Sequence, residues 1–329
     1  MSAGLARKLI GVIVGLAILI PLVLLVFIVP ASRATPHDLP IGVAGPAAGI
    51  EQVRSAIDEH QPGAFDVRGF DSLEALTTAT ADREVYGGVV LGAPQATVIA
   101  TGGSQAVATL LTSLGQEIAG AGGPPEVIDV APPTADDPRG SGFGSIVMPV
   151  FMAGAALGIA LTQLARRAWL IAVLLPVGAA TVGATVIGAA LAVGVIDGGF
   201  WGPWLAMACG IWAISAAVAG LVALIGLAGM GVAALVFMIV GMPLAGLSYP
   251  KEYLPWVWGD LGQWLPLGAT GTTVRSAAFF DGGLIGPGAG QAFGAIALWI
   301  VVGYLLLGGS VLKRRRLTSA VLEGGTAAA

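Results

Sequence analysis

Six long apolar segments stand out in the pattern of hydrophobic and polar positions along the chain. The first covers residues 9–30, and the later ones cover residues 144–163, 168–195, 203–226, 229–248 and 290–311. A helix needs about 20 apolar residues to cross a hydrocarbon layer of about 30 Å, and each segment is close to this length. The pattern predicts a polytopic α-helical membrane protein with six transmembrane helices, the first at residues 9–30 and five in a domain at residues 143–311.

The region between the first two apolar segments, residues 31–142, has the pattern of a small α/β domain. Short or alternating apolar runs predict strands at 39–44, 65–70, 85–91, 96–100 and 127–130. Apolar residues at helical spacing predict helices at 49–60, 73–83 and 105–119, with Ser72 as the N-cap of the second. The order β-α-β-α-β-β-α-β is typical of an α/β domain, here inserted between the first and second transmembrane helices.

Clustered basic residues predict how the helices are oriented. The clusters are Arg7-Lys8, Arg166-Arg167 and Lys313–Arg316, each beside an apolar segment. Because short basic segments stay in the cytoplasm, we expect residues 1–8 and the basic tail at 312–329 to be cytoplasmic. The α/β domain is then extracytoplasmic, and the protein is a multi-pass protein of the bacterial plasma membrane with both termini cytoplasmic.

Composition agrees with this class. The chain has 329 residues, of which 56% are hydrophobic and only 10% are charged, whereas about 25% of residues in soluble domains are charged. Of the 19 acidic residues, Glu323 alone falls on the expected cytoplasmic side, so the outer surface is acidic and no basic patch supports nucleic-acid binding. The single cysteine, Cys209, excludes an intramolecular disulfide.

The first apolar segment has two interpretations. Ser32-Arg33-Ala34 places small residues at the spacing of a cleavage site, as in a secretory signal peptide. The apolar run at residues 9–30 is longer than the roughly 7–15 residues of a signal peptide. We therefore expect a retained anchor helix, with cleavage of residues 1–34 as the alternative.

The stretch at residues 249–289, called the outer segment below, is too apolar for an ordinary loop and too broken for a full span. Its aromatic residues and prolines include Tyr249, Pro250, Pro255, Trp256, Trp258, Trp264 and Pro266. Trp and Tyr favour the membrane–water interface, and Pro breaks helices. Non-helical backbone at membrane depth must pack in protein or line a wet cavity. We expect one or two short re-entrant helices, and the alternative is an interfacial loop with an aromatic belt.

An anchor helix, an outer α/β domain and five further helices together resemble the ABC-2 type permeases, especially the YhgE/Pip-like group of membrane proteins. In that superfamily the segment joining the last two helices has a Gly/Pro-rich exit, a Leu-Pro or Asn-Pro step and then an Arg on a following helix. The matching residues here are Gly241–Gly246 with Pro243, Leu254-Pro255, Leu265-Pro266 and Val274-Arg275.

The resemblance implies a homodimeric permease subunit that moves a lipidic, amphipathic or polymeric cargo out of the cytoplasm. Energy would come from ATP on a separate nucleotide-binding subunit, since the chain lacks G-x-x-x-x-G-K-[ST] and needs no cofactor of its own. The candidate pathway consists of Pro243, Arg275 and the aromatic residues and prolines of the outer segment. The candidate ATPase contacts are Arg166, Arg167, Arg314 and Arg315.

One departure from the family pattern supports an alternative function. The loop at Leu164–Ala168 is too short for the coupling helix that such permeases usually present between the second and third spans. The alternative is a scaffold or receptor whose outer domain binds an envelope or secretion protein. An enzyme is not expected, because no G-x-S-x-G motif is present, and neither His37 nor His60 has a partner at metal-ligand spacing.

Several single residues also carry expectations. For Arg275 we expect an ion pair with Asp260 or Asp281, and the alternative is that it orients a lipid headgroup. Gln163 and Ser215 are expected to form hydrogen bonds between helices. Two rows of small residues, Gly154-Gly158-Thr162 and Ala184-Gly188-Ala192, predict close helix packing within the chain or between two copies.

Overall fold

The computed structural model describes residues 3–92, 94–120, 123–138, 140–165, 167–247, 249–255, 257–280, 283–286 and 288–326. Within these residues, six helices are long and apolar enough to cross a membrane. Helix α1 (Ala3–Ser32) is apolar around its circumference, and none of its most apolar stretch is buried in protein. A helix that is apolar on all sides suits lipid, because lipid can cover every face of it.

The α/β domain follows α1 and contains a five-stranded sheet in the described residues. Its elements are β1 (Leu39–Ala44), α2 (Ala47–His60), β2 (Phe65–Phe70), α3 (Leu73–Ala81), β3 (Gly87–Val90), β4 (Ala96–Ile99), α4 (Gln105–Ala119) and β5 (Glu126–Asp129). The strand order is β2-β1-β3-β4-β5, with β3 and β4 antiparallel and the other neighbours parallel. The predicted element order is confirmed, with end shifts of a few residues.

Capping and burial explain why these residues form the domain. The Ser72 hydroxyl accepts a hydrogen bond from the backbone N–H of Ala75 at 3.1 Å, which confirms the predicted N-cap of α3. The inner strand β1 buries Leu39, Ile41 and Val43 against the helices and neighbouring strands. A strand that is buried on both faces has a nearly continuous run of apolar residues, and β1 has such a run.

Helices α5 (Ser141–Leu164), α6 (Ala168–Ala192) and α7 (Trp201–Ile225) begin the helical bundle. Helix α7 is central, since 67% of its most apolar stretch is buried, against 28% or less for the other candidate spans. A Cβ atom on Gly158 would lie 2.5 Å from the Ser215 carbonyl oxygen, so α5 and α7 are in close contact there. The first row of small residues thus packs within the chain, as small residues allow.

The fifth candidate span contains a π-helical turn. It runs through α8 (Leu227–Ala233), a π-helix at Ala234–Val240 and α9 (Gly241–Leu244). Phe237 in the π-turn is buried, and its ring meets the edge of Trp299 with ring centroids 5.0 Å apart. The span begins and ends earlier than the predicted 229–248, because the chain leaves the helical conformation after Leu244.

The outer segment forms short helices. A 3₁₀ turn at Lys251–Tyr253 leads to α10 (Trp258–Trp264) and α11 (Pro266–Phe279). Pro266 is the first residue of α11, where the missing N–H of proline costs nothing. Helix α11 packs against α7, and most of its residues are buried. The segment is therefore largely helical, and α11 packs it against the bundle.

The last helix, α12 (Gly290–Thr326), is longer than predicted. The sequence placed a span at 290–311 and a separate basic tail at 312–329, but the helix continues through the basic cluster to Thr326. The physical reason is that α12 contains no proline, and Lys and Arg are good helix formers. The basic residues are thereby fixed on a rigid extension of the span.

Candidate functional site

The α/β domain rests directly on the outer segment. The backbone N–H of His37 donates to the Glu252 carbonyl oxygen at 2.9 Å, and the Tyr253 side chain joins the apolar core of the domain. A Cβ atom on Gly102 would lie 2.8 Å from the Phe279 ring, so the domain approaches the end of α11 closely. Backbone, apolar and steric contacts together fix the domain above the bundle.

Arg275 lies largely buried at this junction. Its Nη2 donates to the Leu247 carbonyl oxygen at 2.9 Å, and its guanidinium carbon lies 5.1 Å from the centre of the Phe143 ring. Burial, and to a smaller extent the nearby positive charge of Arg83, lower the pKa of Arg275 to about 10. The side chain therefore remains charged at neutral pH.

The prediction that Arg275 forms an ion pair with Asp260 is wrong. Asp260 pairs with Lys251 at 2.9 Å, in the same outer segment. Asp281, the other expected partner, lies outside the described residues. Arg275 is stabilised by a backbone carbonyl and an aromatic face, because α11 carries it inward to the junction and away from the exposed carboxylate of Asp260.

Arg83 is a second positive charge at the junction. It follows α3 with a positive φ of 61°, a backbone conformation that favours Gly or Asn. Its guanidinium carbon lies 5.2 Å from the centre of the Phe280 ring. Its Nη1 is buried and has no hydrogen-bond partner among the described residues. Burial lowers the pKa of Arg83, while the nearby Tyr86 and Glu252 act in the opposite direction.

Tyr86 links the domain to the outer segment. Its hydroxyl donates to Oε2 of Glu252 at 2.8 Å, across 166 positions of the chain. Burial raises the pKa of Tyr86 well above its ordinary value of 10, and the negative charge of Glu252 raises it further. The hydroxyl therefore stays protonated at neutral pH and remains a hydrogen-bond donor to the carboxylate.

These groups surround a cavity of about 260 Å³ between the α/β domain and the outer segment, called the junction cavity below. Its polar lining consists mainly of Arg83, Tyr86, Lys251, Glu252, Gln263, Thr272, Arg275 and Gln291. A second cavity of about 270 Å³ is lined by Phe143 and Tyr249. Arg275 lines both cavities, as do Gly103 and Pro250.

Of the predicted pathway residues, the structure brings Arg275 and Pro250 to both cavities. Tyr249 reaches the second cavity, while Pro243 is half-buried in α9. Pro255 is buried and Trp258 begins α10, whereas Trp264 is exposed at its end. Pro266 is buried at the start of α11, and Trp256 lies outside the described residues.

A larger groove of about 940 Å³ lies at the opposite end of the bundle and is called the tail groove below. Arg314 and Arg315 line it, together with residues of the short turn between α5 and α6. Arg167 is exposed at the start of α6, and Arg166 lies outside the described residues. The long α12 therefore brings two of the predicted ATPase contacts to the same groove as the short turn.

Other predicted polar contacts differ from expectation. The Ser215 hydroxyl donates to the Trp212 carbonyl oxygen of its own helix, so the predicted hydrogen bond between helices is wrong for this residue. Gln163 is exposed and lines the tail groove. Asp197, for which no contact was predicted, is an exposed loop residue whose carboxylate accepts a hydrogen bond from the backbone N–H of Gly198.

Sequence reasoning missed Arg83, Tyr86 and Glu252 as parts of the site. The pattern placed Arg83 in the last turn of a helix and Tyr86 in a strand, where neither residue stands out. No signal in the sequence marked Arg83, because the pattern extended the helix to residue 83 whereas α3 ends at Ala81. Glu252 carried no signal, because its partner is in a different region of the sequence.

Replacing Tyr86 by Phe is expected to loosen the domain from the outer segment. The substitution removes a hydrogen bond to a carboxylate, which stabilises by about 1.5–3 kcal/mol in typical cases. Hydrogen exchange of the backbone amides at 251–254 should become faster in detergent-solubilised protein. Tyr249→Phe is the matched control, since the Tyr249 ring is exposed and stacks on Tyr253. Equal exchange rates in both variants would contradict the assigned link.

The arrangement of six apolar helices defines the chain as a polytopic helical membrane protein. No known protein family, curated protein or solved structure matches the chain. A more specific function is therefore argued from the residues and geometry of the chain itself.

Proposed function

We propose that the chain is the permease subunit of an ABC-2-like exporter in a bacterial plasma membrane, with both termini in the cytoplasm. In this orientation the α/β domain is extracytoplasmic and the tail groove faces the cytoplasm, where basic segments are retained. The observation that supports the proposal best is the pair of broken helices α10 and α11 inside a bundle of candidate spans.

Broken helices are typical of transporter binding sites, because the freed backbone groups at the break line a cavity near the cargo. Here α10 and α11 meet at Leu265, and the Trp264 carbonyl oxygen accepts a hydrogen bond from the Trp299 indole at 2.8 Å. Gln263 beside the break bonds both the Ala245 carbonyl oxygen and the Thr272 hydroxyl. The break is thus supported by neighbouring side chains.

The two ends of the bundle have different openings. The junction cavity lies beneath the domain, and the tail groove lies at the other end. Between these levels the buried helix α7 occupies the interior of the bundle. We interpret this arrangement as a closed state, in which helices must separate before a cargo passes.

The character of the spans favours a lipidic, amphipathic or polymeric cargo. Ionisable residues within membrane spans usually mark proton or ion pathways. In the described spans, the charged residues lie at the ends, as in α12, and Asp197 is exposed beyond α6. A second copy of the chain has a suitable contact row on α6, because a Cβ atom on Gly188 would meet no atom of the neighbouring described helices within 4 Å.

The tail groove is the proposed docking place for the nucleotide-binding subunit. Purification of the tagged full chain from its native membranes in mild detergent, followed by mass spectrometry, is expected to recover a stoichiometric ATPase. Reversal of charge in Arg315→Glu should reduce that recovery several-fold, because Arg315 lines the groove. Arg316→Glu is the control, since this exposed arginine is on the same helix but does not line the groove.

Recovery of the wild-type chain without any nucleotide-binding subunit would contradict the permease function. Equal recovery from both charge-reversal variants would contradict the docking place and leave the subunit to be located elsewhere. The two parts of the proposal are therefore tested separately in one experiment.

A second candidate function is a scaffold or receptor for an envelope protein. The observation that favours it is the short turn between α5 and α6, where the helices end at Leu164 and resume at Ala168. This turn is too short for the coupling helix of an ABC-2-like permease. Recovery of an envelope protein in place of an ATPase would favour the scaffold.

A further inference from the structure

The junction cavity has more positive than negative charge. Three basic side chains line it, from Arg83, Lys251 and Arg275, with Glu252 as the one carboxylate among the described lining residues. Lys251 pairs with Asp260, and Glu252 accepts a hydrogen bond from Tyr86. Among the described residues, neither arginine has a carboxylate within 4.0 Å. Because buried charges are usually paired, this cavity is suited to an anion.

Arg83 gives independent support for an anion. Its Nη1 is buried with no hydrogen-bond partner in the described part of the chain, and a buried donor of this kind needs a physical explanation. Its backbone has a φ of 61°, where Gly or Asn would be less strained. The chain therefore has an arginine at a backbone position that favours another residue, and this arginine lines the cavity.

The position of the cavity indicates which anion would reach it. Gln291 and Ala292, in the first turn of the candidate span α12, form part of its wall. The start of a spanning helix lies at the level of the lipid headgroups, where phosphate groups are concentrated. Arginine is the residue best suited to phosphate, because its planar fork donates two parallel hydrogen bonds.

We propose that the junction cavity binds a phosphate group, carried by a lipid headgroup or by a soluble phosphate compound. Arg83 donates through Nη1, and Arg275 donates through the N–H groups that Leu247 does not use. The cavity of about 260 Å³ exceeds the roughly 30 Å³ of one water several-fold, so a phosphate and a small substituent fit. The proposal goes beyond transport and holds for a permease and for a scaffold.

The test uses purified full-length protein in a phosphate-free, lipid-depleted detergent buffer. Two probes are titrated, inorganic phosphate and short-chain phosphatidic acid, with the corresponding diacylglycerol as the uncharged control. Binding is followed by intrinsic tryptophan fluorescence and by the shift in melting temperature. Arg83→Asn removes the guanidinium and keeps a residue that tolerates positive φ, so the fold is retained. Arg68→Gln removes an exposed arginine of the same domain as the matched control.

Wild-type protein is expected to bind at least one phosphate probe saturably and to show no response to diacylglycerol. Arg83→Asn should weaken binding by about tenfold or more, since it removes a charge-assisted hydrogen bond, while Arg68→Gln leaves it unchanged. Binding of phosphatidic acid alone assigns the site to a lipid headgroup, and binding of both probes assigns it to phosphate in general. No saturable binding by wild-type protein, or equal binding by a folded Arg83→Asn variant, overturns the proposal.

Discussion

Replacing Gly303 by Ala is expected to destabilise the bundle more than the same change at Gly290, Gly294, Gly308 or Gly309 of α12. A Cβ atom on Gly303 would lie 2.4 Å from the Ala216 carbonyl carbon and 2.6 Å from its oxygen. The reciprocal position Gly220 on α7 would place a Cβ 2.5 Å from the Gly303 carbonyl oxygen. The two helices approach through their backbones, so α12 must move away from the central helix to admit the methyl group. Overpacking of this kind costs about 1–3 kcal/mol or more.

The measurement is thermal unfolding in detergent, followed by a thiol-reactive fluorophore. Cys209 is the single cysteine of the chain and lies half-buried on α7, so its labelling reports exposure of the central helix. Gly308→Ala on the same helix is the control, because an added Cβ there meets no neighbouring atom of the described residues within 4 Å. The Gly303 variant should melt well below wild type and the Gly308 variant at or slightly above it. Identical melting of both variants would exclude the close α7–α12 contact.

Replacing Arg275 by Gln is expected to lower the local stability of the outer segment and to weaken its contacts with the α/β domain. The substitution removes the hydrogen bond to the Leu247 carbonyl oxygen and the contact with the Phe143 ring. A buried acceptor left without its donor costs about 1–3 kcal/mol. Limited proteolysis should then cut the chain faster between α9 and the 3₁₀ turn at Lys251–Tyr253, where Leu247 lies.

Lys251→Gln is the matched control for this prediction. It removes the same charge from the same segment, but Lys251 is 39% exposed and its ion pair with Asp260 is on the surface. Surface ion pairs stabilise by about 0–1 kcal/mol, so this variant should be cut at nearly the wild-type rate. If Lys251→Gln is cut as fast as Arg275→Gln, the buried contacts of Arg275 do not hold the segment.

The predicted elements show how far local patterns determine this fold. The strand at Leu39–Ala44 and the helix at Gln105–Ala119 have the predicted bounds. A buried apolar run and the helical spacing of apolar residues are both visible in contiguous residues of the sequence. Helix α12 continues beyond the predicted span at 290–311, because a charge pattern marks where the membrane ends and the helix itself has no reason to stop there. Local pattern thus predicts elements better than it predicts their limits.

The candidate site was predictable only in part. Arg275 stood out in the sequence because it follows the Leu265-Pro266 step in an apolar region. Its contacts with Leu247 and Phe143 could not be predicted from the sequence, because Phe143 lies at the start of a different span. The expected ion pair with Asp260 followed from proximity in sequence, which says little about which residues meet after the chain folds.

The sequence by itself determined the six apolar spans, the inserted α/β domain and the broken outer segment, since hydrophobicity and helix-breaking residues act locally. Tertiary structure alone decided that Arg83 and Tyr86 of the domain meet Glu252 and Arg275 of the outer segment around one cavity. It also decided that α7 is the buried centre of the bundle. The physical reason is that all six spans are apolar, so hydrophobicity places them in lipid, and only close packing selects their neighbours.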